Sequence, residues 1–412
     1  MDILQFLNTS YTAFHTVQNA RGILDKNGFA PLQLGDKWSL VKGGKYYVTQ
    51  NGSSLVAFAV GGNKVYNICQ SHTDSPAFKV KGGSMVASGG LSRLNTEQYG
   101  GGLWYSFFDR PLKVCGRLLL ETKNGVAEQI VASNYNVVIP SLAIHHNPKA
   151  NESFSVNLQN DTLPLFSQNE QEFYKTLTDQ KVLDADLFVV PATEAFYAGA
   201  DNEFLCSARI DNLTSVYTGI QALCQATPQN IAVVACLDNE EVGSSTKHGS
   251  PNFVDRVLRQ IEVALNMTAE EAIAAREHGM ALSVDNGHAA HPAHAEKSDP
   301  TMQVHLNGGV VVKHHVNYAT DGLSSAVFKR MMDGKVPTQD YYNRSDLRCG
   351  TTLGLATARV LGIKTCDIGL AQLAMHSASE TVGSKDVDHM QQALQIFLSA
   401  KLSGKGNTVE VK

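Results

Sequence analysis

Residues 231–237, IAVVACL, are seven consecutive apolar residues with no polar alternation. A strand with one face in water alternates polar and apolar side chains. A short unbroken apolar run must be covered on both faces, as in a parallel sheet flanked by helices. Other short runs have the same texture: SSLVAFAV at 53–60, VYNICQ at 65–70, ALSV at 281–284, GGVVV at 308–312 and CDIGLAQLA at 366–374. Between and around them lie segments with helical periodicity. Ile3, Leu7, Tyr11, Phe14 and Val17 make one N-terminal stripe, and 212–226, 251–265, 324–333, 353–362 and 387–402 read the same way. Strands alternating with helices predict an α/β fold, a three-layer domain with a mostly parallel sheet.

The chain has 412 residues, which at roughly 150 residues per domain allows two or three domains. From about 75 to about 205 the alternation stops. Short β-like runs (FKVKGG, GRLLLE, EQIVA, NVVIP) broken by Gly, Asn and Pro replace it, which predicts a β-rich insertion. The final KGNTVEVK is expected to be loosely held. A net charge of −5 gives no basic field for a polyanion, so nucleic acid is not an expected partner. No apolar run reaches the length of a membrane span, so no membrane is expected either. No Lys or Arg precedes Arg21, so the basic region of a signal peptide is missing and the chain is expected to be the mature protein. The seven Cys are an odd number with no C-x-x-C pair. Free thiols in a reducing, cytoplasmic compartment are the expected state.

The chemistry gathers where apolar runs end. VYNICQ runs into His72 and Asp74, IAVVACL into Glu240 and Glu241, ALSV into Asp285 and His288, and CDIGLAQLA into His376. In open α/β sheets ligands bind outside the carboxyl ends of strands, so these segments can converge. SARIDNLTSV adds Asp211 at a helix start, where an acid is also a good N-cap. Taken singly, each has a plain reading: a structural His, a solvent-facing ion pair, an acidic surface loop, a cap. Together, two His and three acids form a nitrogen-and-oxygen set suited to zinc or a similar ion rather than to a thiolate site. Of two adjacent acids, one can be a ligand and the other a base. Asp74, two residues past His72, is expected to take a hydrogen bond from the other ring nitrogen and fix its tautomer. No G-x-S-x-G, H-E-x-x-H or G-x-x-x-x-G-K-[ST] motif competes. The glycines of QYGGGLWYS read as a tight turn or close backbone packing.

The blocks FLNTSYTAFHTV, SHTDSPAFKVK, YGGGLWYSFFDRPLKVCGR, IPSLAIH, SARIDNLTS, LDNEEVGSS, the 285–294 stretch, CGTTLG and AMHSASE occur in this order across nearly the whole chain. As a set, with Lys313 and the Tyr318-Ala319-Thr320 segment, they resemble the aspartyl aminopeptidase family of dinuclear zinc aminopeptidases. The resemblance implies a discontinuous dinuclear-metal peptidase domain at 1–74 and 206–412, with 75–205 as a β-rich dimerisation domain. It implies two Zn2+ per chain, with Co2+ or Mn2+ as alternatives. One ion would be held by His72, Asp211 and Asp285, the other by Asp211, Glu241 and His376. Glu240 would be the general base, with Asp74 the second catalytic residue. Substrate contacts would fall on His145, His288, Lys313 and Tyr318, with His145 reaching a neighbouring subunit's site in a tetrahedral dodecamer. The substrates implied are peptides with a free N-terminus, preferentially Asp or Glu. Two departures touch the pocket: Asn286-Gly287 stands where Met-Ala is usual, and the Lys313–Tyr318 spacing is shorter than in animal relatives. His294 is an extra histidine in that stretch. Rival readings are a dimetal carboxypeptidase or deacylase on a similar fold, and a non-catalytic scaffold. Lys313 also has two readings, a solvent-seeking ammonium or a cation facing an acidic substrate side chain.

Overall fold

The structure, a computed structural model, describes residues 1–168, 171–405 and 408–412. Its centre is a nine-stranded sheet built from residues 30–72 and 231–369. Five of its eight neighbour pairings are parallel and three antiparallel. It is a mixed sheet with a parallel middle: Ile231–Leu237, Tyr66–His72, Met280–Val284 and Lys364–Gly369 run side by side in one direction. Ile231–Leu237 is buried along its whole length. Ala232, Val234 and Cys236 enter the core beneath helices Ile210–Gln225 and Ser384–Ser399. Ile231, Val233, Ala235 and Leu237 enter the opposite core with helix Asn252–Ala264. The unbroken apolar run is thus explained by two covered faces, and the three-layer α/β expectation holds. Each fully buried branched side chain contributes about 1.5–3 kcal/mol to this arrangement.

A six-stranded sheet drawn only from residues 77–191 is antiparallel throughout. It has its own core around Phe78, Leu94, Leu118, Leu187 and Val189. A third sheet joins distant segments in the order Phe196–Ala198, Phe204–Ser207, Glu380–Gly383, Ala371–Leu373, Gly287–His288.

Several local expectations are revised. The N-terminal stripe belongs to two helices, Ile3–Thr9 and Ala13–Lys26. The buried Arg209 guanidinium donates to the Leu7 and Ser10 carbonyls where the first helix ends, giving those groups a partner outside the helix. CDIGLAQLA divides at Leu370 between the nine-stranded and the third sheet. Gly369 permits the division, because a Cβ there would collide with the Asp285 carbonyl. NVVIP makes only isolated bridges, Val137 to Leu112 and Val138 to Leu165. The tail pairs Leu402–Lys405 with Thr408–Val411 rather than hanging loose; Gly406 and Asn407 of that expectation lie outside the described residues. All seven cysteines are free, and all but the half-buried Cys224 are buried.

Candidate metal centre

Three adjacent parallel strands end at one edge of the central sheet, and each delivers side chains there. His72 closes Tyr66–His72, opposite Leu237 in register. Glu240 and Glu241 open a short 3-10 turn just past Leu237. Asp285 follows Val284, its N–H bonded to the Ile368 carbonyl at 2.8 Å. His376 lies three residues past Ala371–Leu373, at φ +65°. Asp211 sits in the first turn of Ile210–Gln225, where it is non-helical, and its peptide bond to Asn212 is cis. Its carboxylate caps no helix, so the capping reading is set aside: both oxygens face histidines instead.

Asp211 stands between two ligand groups. Its Oδ1 is 3.2 Å from His72 Nε2, which is 3.7 Å from Asp285 Oδ1. Its Oδ2 is 3.4 Å from His376 Nε2, which is 3.3 Å from Glu241 Oε1. In each of the triplets His72–Asp211–Asp285 and Asp211–Glu241–His376 the candidate donor atoms lie within 4.8 Å of one another. A third triplet, His72–Glu240–Glu241, overlaps both. Two donors on one tetrahedral zinc at about 2.0–2.1 Å are themselves about 3.3 Å apart. The observed separations match that spacing.

Each imidazole is oriented through its other nitrogen. His72 Nδ1 lies 3.0 Å from the Asp74 backbone carbonyl, and His376 Nδ1 lies 2.8 Å from that of Gly101. A carbonyl only accepts, so Nδ1 carries the proton and Nε2 faces the carboxylates. The Asp74 carboxylate does not fill the role expected of it, standing 3.4 Å from His72 Nδ1. It accepts the backbone N–H groups of Glu240 and Glu241, each at 3.1 Å, and the Tyr99 hydroxyl at 2.7 Å. Asp74 therefore holds the turn that carries Glu240.

Burial alone would lower both histidine pKa values, but carboxylate contacts outweigh it. His72 is raised well above its ordinary value by Asp211, Asp285 and Asp74, and His376 is pushed up to about 10 by Asp211 and Glu241. Burial favours a neutral Asp211, yet His376 and His72 beside its two oxygens take its pKa well below the carboxylate range. Burial raises Glu241 well above its ordinary value, and raises Glu240 to about 7, against the opposing pull of His72 and with help from Asp285, Asp74 and Asp211. These shifts describe a surplus of acids seeking positive charge. Asp211 Oδ1 and Glu241 Oε1 are buried without any hydrogen-bond donor among the described residues. A buried carboxylate oxygen with no donor is costly. Cations between the histidines and acids would satisfy both, so the residues fit zinc.

Lys313 is 1% exposed and does not reach for solvent. Its Nζ donates to the Asn286 carbonyl at 2.9 Å, lies 3.9 Å from Asp285 Oδ2, and stands over the Tyr318 ring at 5.3 Å. His288 is accessible, but surrounding protein and the Lys313 charge lower its pKa, while Asp211 and Asp285 pull the other way. Tyr318 takes a hydrogen bond from Cys349. His145 is exposed, in the segment between Gly125–Ala132 and Leu165–Ser167, and joins none of the ligand groups. His294 is exposed and pairs with Glu296.

Three participants escaped the sequence reading: Tyr99, Gly101 and Glu380. Glu380 is 1% exposed and accepts the N–H groups of His376 and Asp211. Gly100, at φ +73°, lets the chain pass Glu241, whose Cβ would lie 3.1 Å from a side chain there. The glycine triplet was the available signal for that approach. A cavity of about 350 Å3, walled by Tyr11, Phe14, Asp74, Tyr99, Arg117 and Phe188 among others, is lined by none of the five ligand candidates.

Comparison with known proteins gives the family of the chain. A "Probable M18 family aminopeptidase 2" of Clostridium novyi (strain NT) is 38% identical over 421 residues, covering 96% of each chain. One from Ectopseudomonas mendocina (strain ymp) is 35% identical over 421 residues and 97% of each. Among solved structures, a chain in a cryo-EM structure of the Ape4 and Nbr1 complex superposes with a TM-score of 0.90 at 31% identity, over 96% of this chain and 84% of that one. A dodecamer of S. cerevisiae mApe1 superposes at 0.81 with 25% identity, over 96% and 94%. The family profile described as aminopeptidase I zinc metalloprotease (M18) matches residues 6–398, and the chain belongs to that family of zinc-dependent aminopeptidases.

Proposed function

We propose that the chain removes single N-terminal residues from peptides with a centre of two zinc ions, and prefers Asp or Glu in the first position. The observation that carries the dinuclear reading is Asp211, whose two oxygens face two different histidines at 3.2 and 3.4 Å. His72, Asp211 and Asp285 would hold one ion, and Asp211, Glu241 and His376 the other. Co2+ or Mn2+ would also suit these donors. Bound zinc supplies Lewis acidity, polarising the scissile carbonyl and lowering the pKa of water. Glu240 is the general base: it takes the proton of the attacking water and passes it to the leaving amine. Asp74 fixes the Glu240 backbone, and His288 is available to donate to the developing oxyanion. The acidic surroundings favour a free α-ammonium group on the substrate.

The acidic preference rests on Lys313, a buried ammonium beside Asp285 with Tyr318 beneath it. A Leu side chain facing that ammonium would add no acceptor to the Asn286 carbonyl and the Asp285 carboxylate it already has, whereas an acidic side chain would. A second reading has its own support: Lys313 already bonds the Asn286 carbonyl, so it would act by steadying Asp285. Lys313→Met separates them. Loss of Asp over Leu selectivity with both metals retained supports recognition, and loss of metal with selectivity retained supports steadying.

Residues 75–205, which include the 77–191 sheet, would be the dimerisation domain within a tetrahedral dodecamer, with His145 completing a neighbour's site. The exposure of His145 and the mApe1 dodecamer favour this. No helix among the described residues is long and apolar enough to cross a membrane, and the free thiols agree with a cytoplasmic setting. A panel of aminoacyl substrates, with and without chelator and with size measured in the same buffer, tests the reading. Asp and Glu should lead, chelator should abolish turnover, and the active species should be the large one. A panel led by Leu or Lys refutes the acidic preference alone.

A further inference from the structure

Glu380 lies outside every ligand triplet, yet its carboxylate reaches two of the ligands through their backbones. Oε1 accepts the His376 N–H at 2.5 Å and Oε2 accepts the Asp211 N–H at 3.0 Å. Both donors sit where regular structure gives them no carbonyl: His376 is left-handed, and Asp211 follows Arg209, itself at φ +62°. The placement follows from the third sheet. Ser207 and Glu380 are direct partners across the antiparallel pair Phe204–Ser207 and Glu380–Gly383. Asp211 lies four residues after Ser207, and His376 four before Glu380. One strand pair therefore anchors both loops, and one carboxylate spans the gap between them. The side chains so held meet at 3.4 Å, Asp211 Oδ2 to His376 Nε2. The other two ligands of the His72–Asp211–Asp285 group are fixed by different means, His72 through the Asp74 carbonyl and Asp285 through the Ile368 carbonyl.

We infer that Glu380 is a positioning residue that sets the spacing of the Asp211–Glu241–His376 metal site, by clamping the backbones of two of its three ligands, while in the His72–Asp211–Asp285 site it holds only the shared Asp211. The inference rests on the dinuclear reading. It makes the two sites unequal in their response to one substitution. A glutamine keeps one acceptor oxygen and turns an NH2 group towards the second N–H, so one arm of the clamp is lost. Aspartate keeps both carboxyl oxygens but is one methylene shorter, and cannot span both arms.

The test is zinc binding to the full-length chain by isothermal titration, with Co2+ absorption spectra as a second readout. Wild type should take two ions. Glu380→Gln and Glu380→Asp should each weaken one ion about tenfold or more, weaken the other distinctly less, and alter one of the two Co2+ spectral components more than the other. Glu380→Ala, if it folds, should do the same to a larger degree. A general structural role would lower stability while moving both affinities together. Equal weakening of both ions in Glu380→Gln, or no weakening of either, overturns the inference. A wild-type chain that takes fewer than two ions overturns the dinuclear reading itself, and is seen before any variant is compared.

Discussion

Asp74→Asn separates two accounts of how this centre is built. If the carboxylate oriented His72, the substitution would disturb the tautomer and release metal. In the structure the His72 ring is held by the Asp74 backbone carbonyl, which the substitution leaves in place. The side-chain oxygens instead take three donors: the N–H of Glu240, the N–H of Glu241 and the Tyr99 hydroxyl. An asparagine has one acceptor oxygen. Its better orientation keeps that oxygen at the Oδ2 position, serving Glu241 and Tyr99, and turns NH2 towards the Glu240 N–H. One charge-assisted hydrogen bond at a 4%-exposed residue is then lost, worth about 1.5–3 kcal/mol. If that loss falls on the placement of Glu240 in the transition state, kcat drops about 10- to 150-fold. Steady-state kinetics on an N-terminal Asp substrate, with metal content measured on the same sample, make the assay. The expected result is a lower kcat, little change in KM, and full metal content. A variant that loses zinc, or one with wild-type kcat, refutes the argument that Asp74 acts through the Glu240 backbone.

Glu240→Gln should keep both metals and lose nearly all turnover, since the amide preserves shape but cannot shuttle a proton; substantial turnover in the metal-loaded variant removes Glu240 as the base. Asp211→Asn should weaken both ions, because its two oxygens face separate triplets; loss of one ion with normal binding of the other removes Asp211 as the bridge. His15, buried under the first helical segments, is pushed down to about 4 by burial and by the Arg209 charge. Its neutral form is favoured in the fold, while the unfolded chain protonates near 6.5. Its stability contribution is therefore complete above about pH 6.5 and drains away as pH falls towards about 4, by up to about 3 kcal/mol. Denaturant titrations at several pH values should show His15→Gln flattening that window; an unchanged pH slope contradicts it.

How much was legible from sequence follows from where each signal is stored. Ile231–Leu237 announces itself because both of its faces are buried, so no polar residue interrupts it. The five ligand candidates stand out because strand ends place them where a polar residue follows an apolar run. The antiparallel partners of the 77–191 sheet were less visible. Val182–Pro191 pairs with Leu112–Thr122 across a long separation, and local composition does not encode that register. Helix Ala269–Glu277 lacks an apolar stripe because only Ala275 is buried. Glu380 was hidden for a different reason: it acts on backbone N–H groups, whose partners no residue type records. The same holds for Asp74: it does meet the other ring nitrogen of His72, but through its backbone carbonyl, while its carboxylate serves the backbone of Glu240 and Glu241. The N-terminal break was invisible because the apolar period continues through it, and the group that meets the end of the first helix, Arg209, is some 200 residues away.

The most direct test of the central claim is a zinc titration of the metal-stripped chain, following release of the first residue from an unblocked peptide and from its N-acetylated twin. The account predicts no release without metal, recovery that saturates at about two ions per chain, and no cleavage of the acetylated peptide. Release from the metal-free chain, saturation at a single ion, or equal cleavage of the blocked peptide would contradict it.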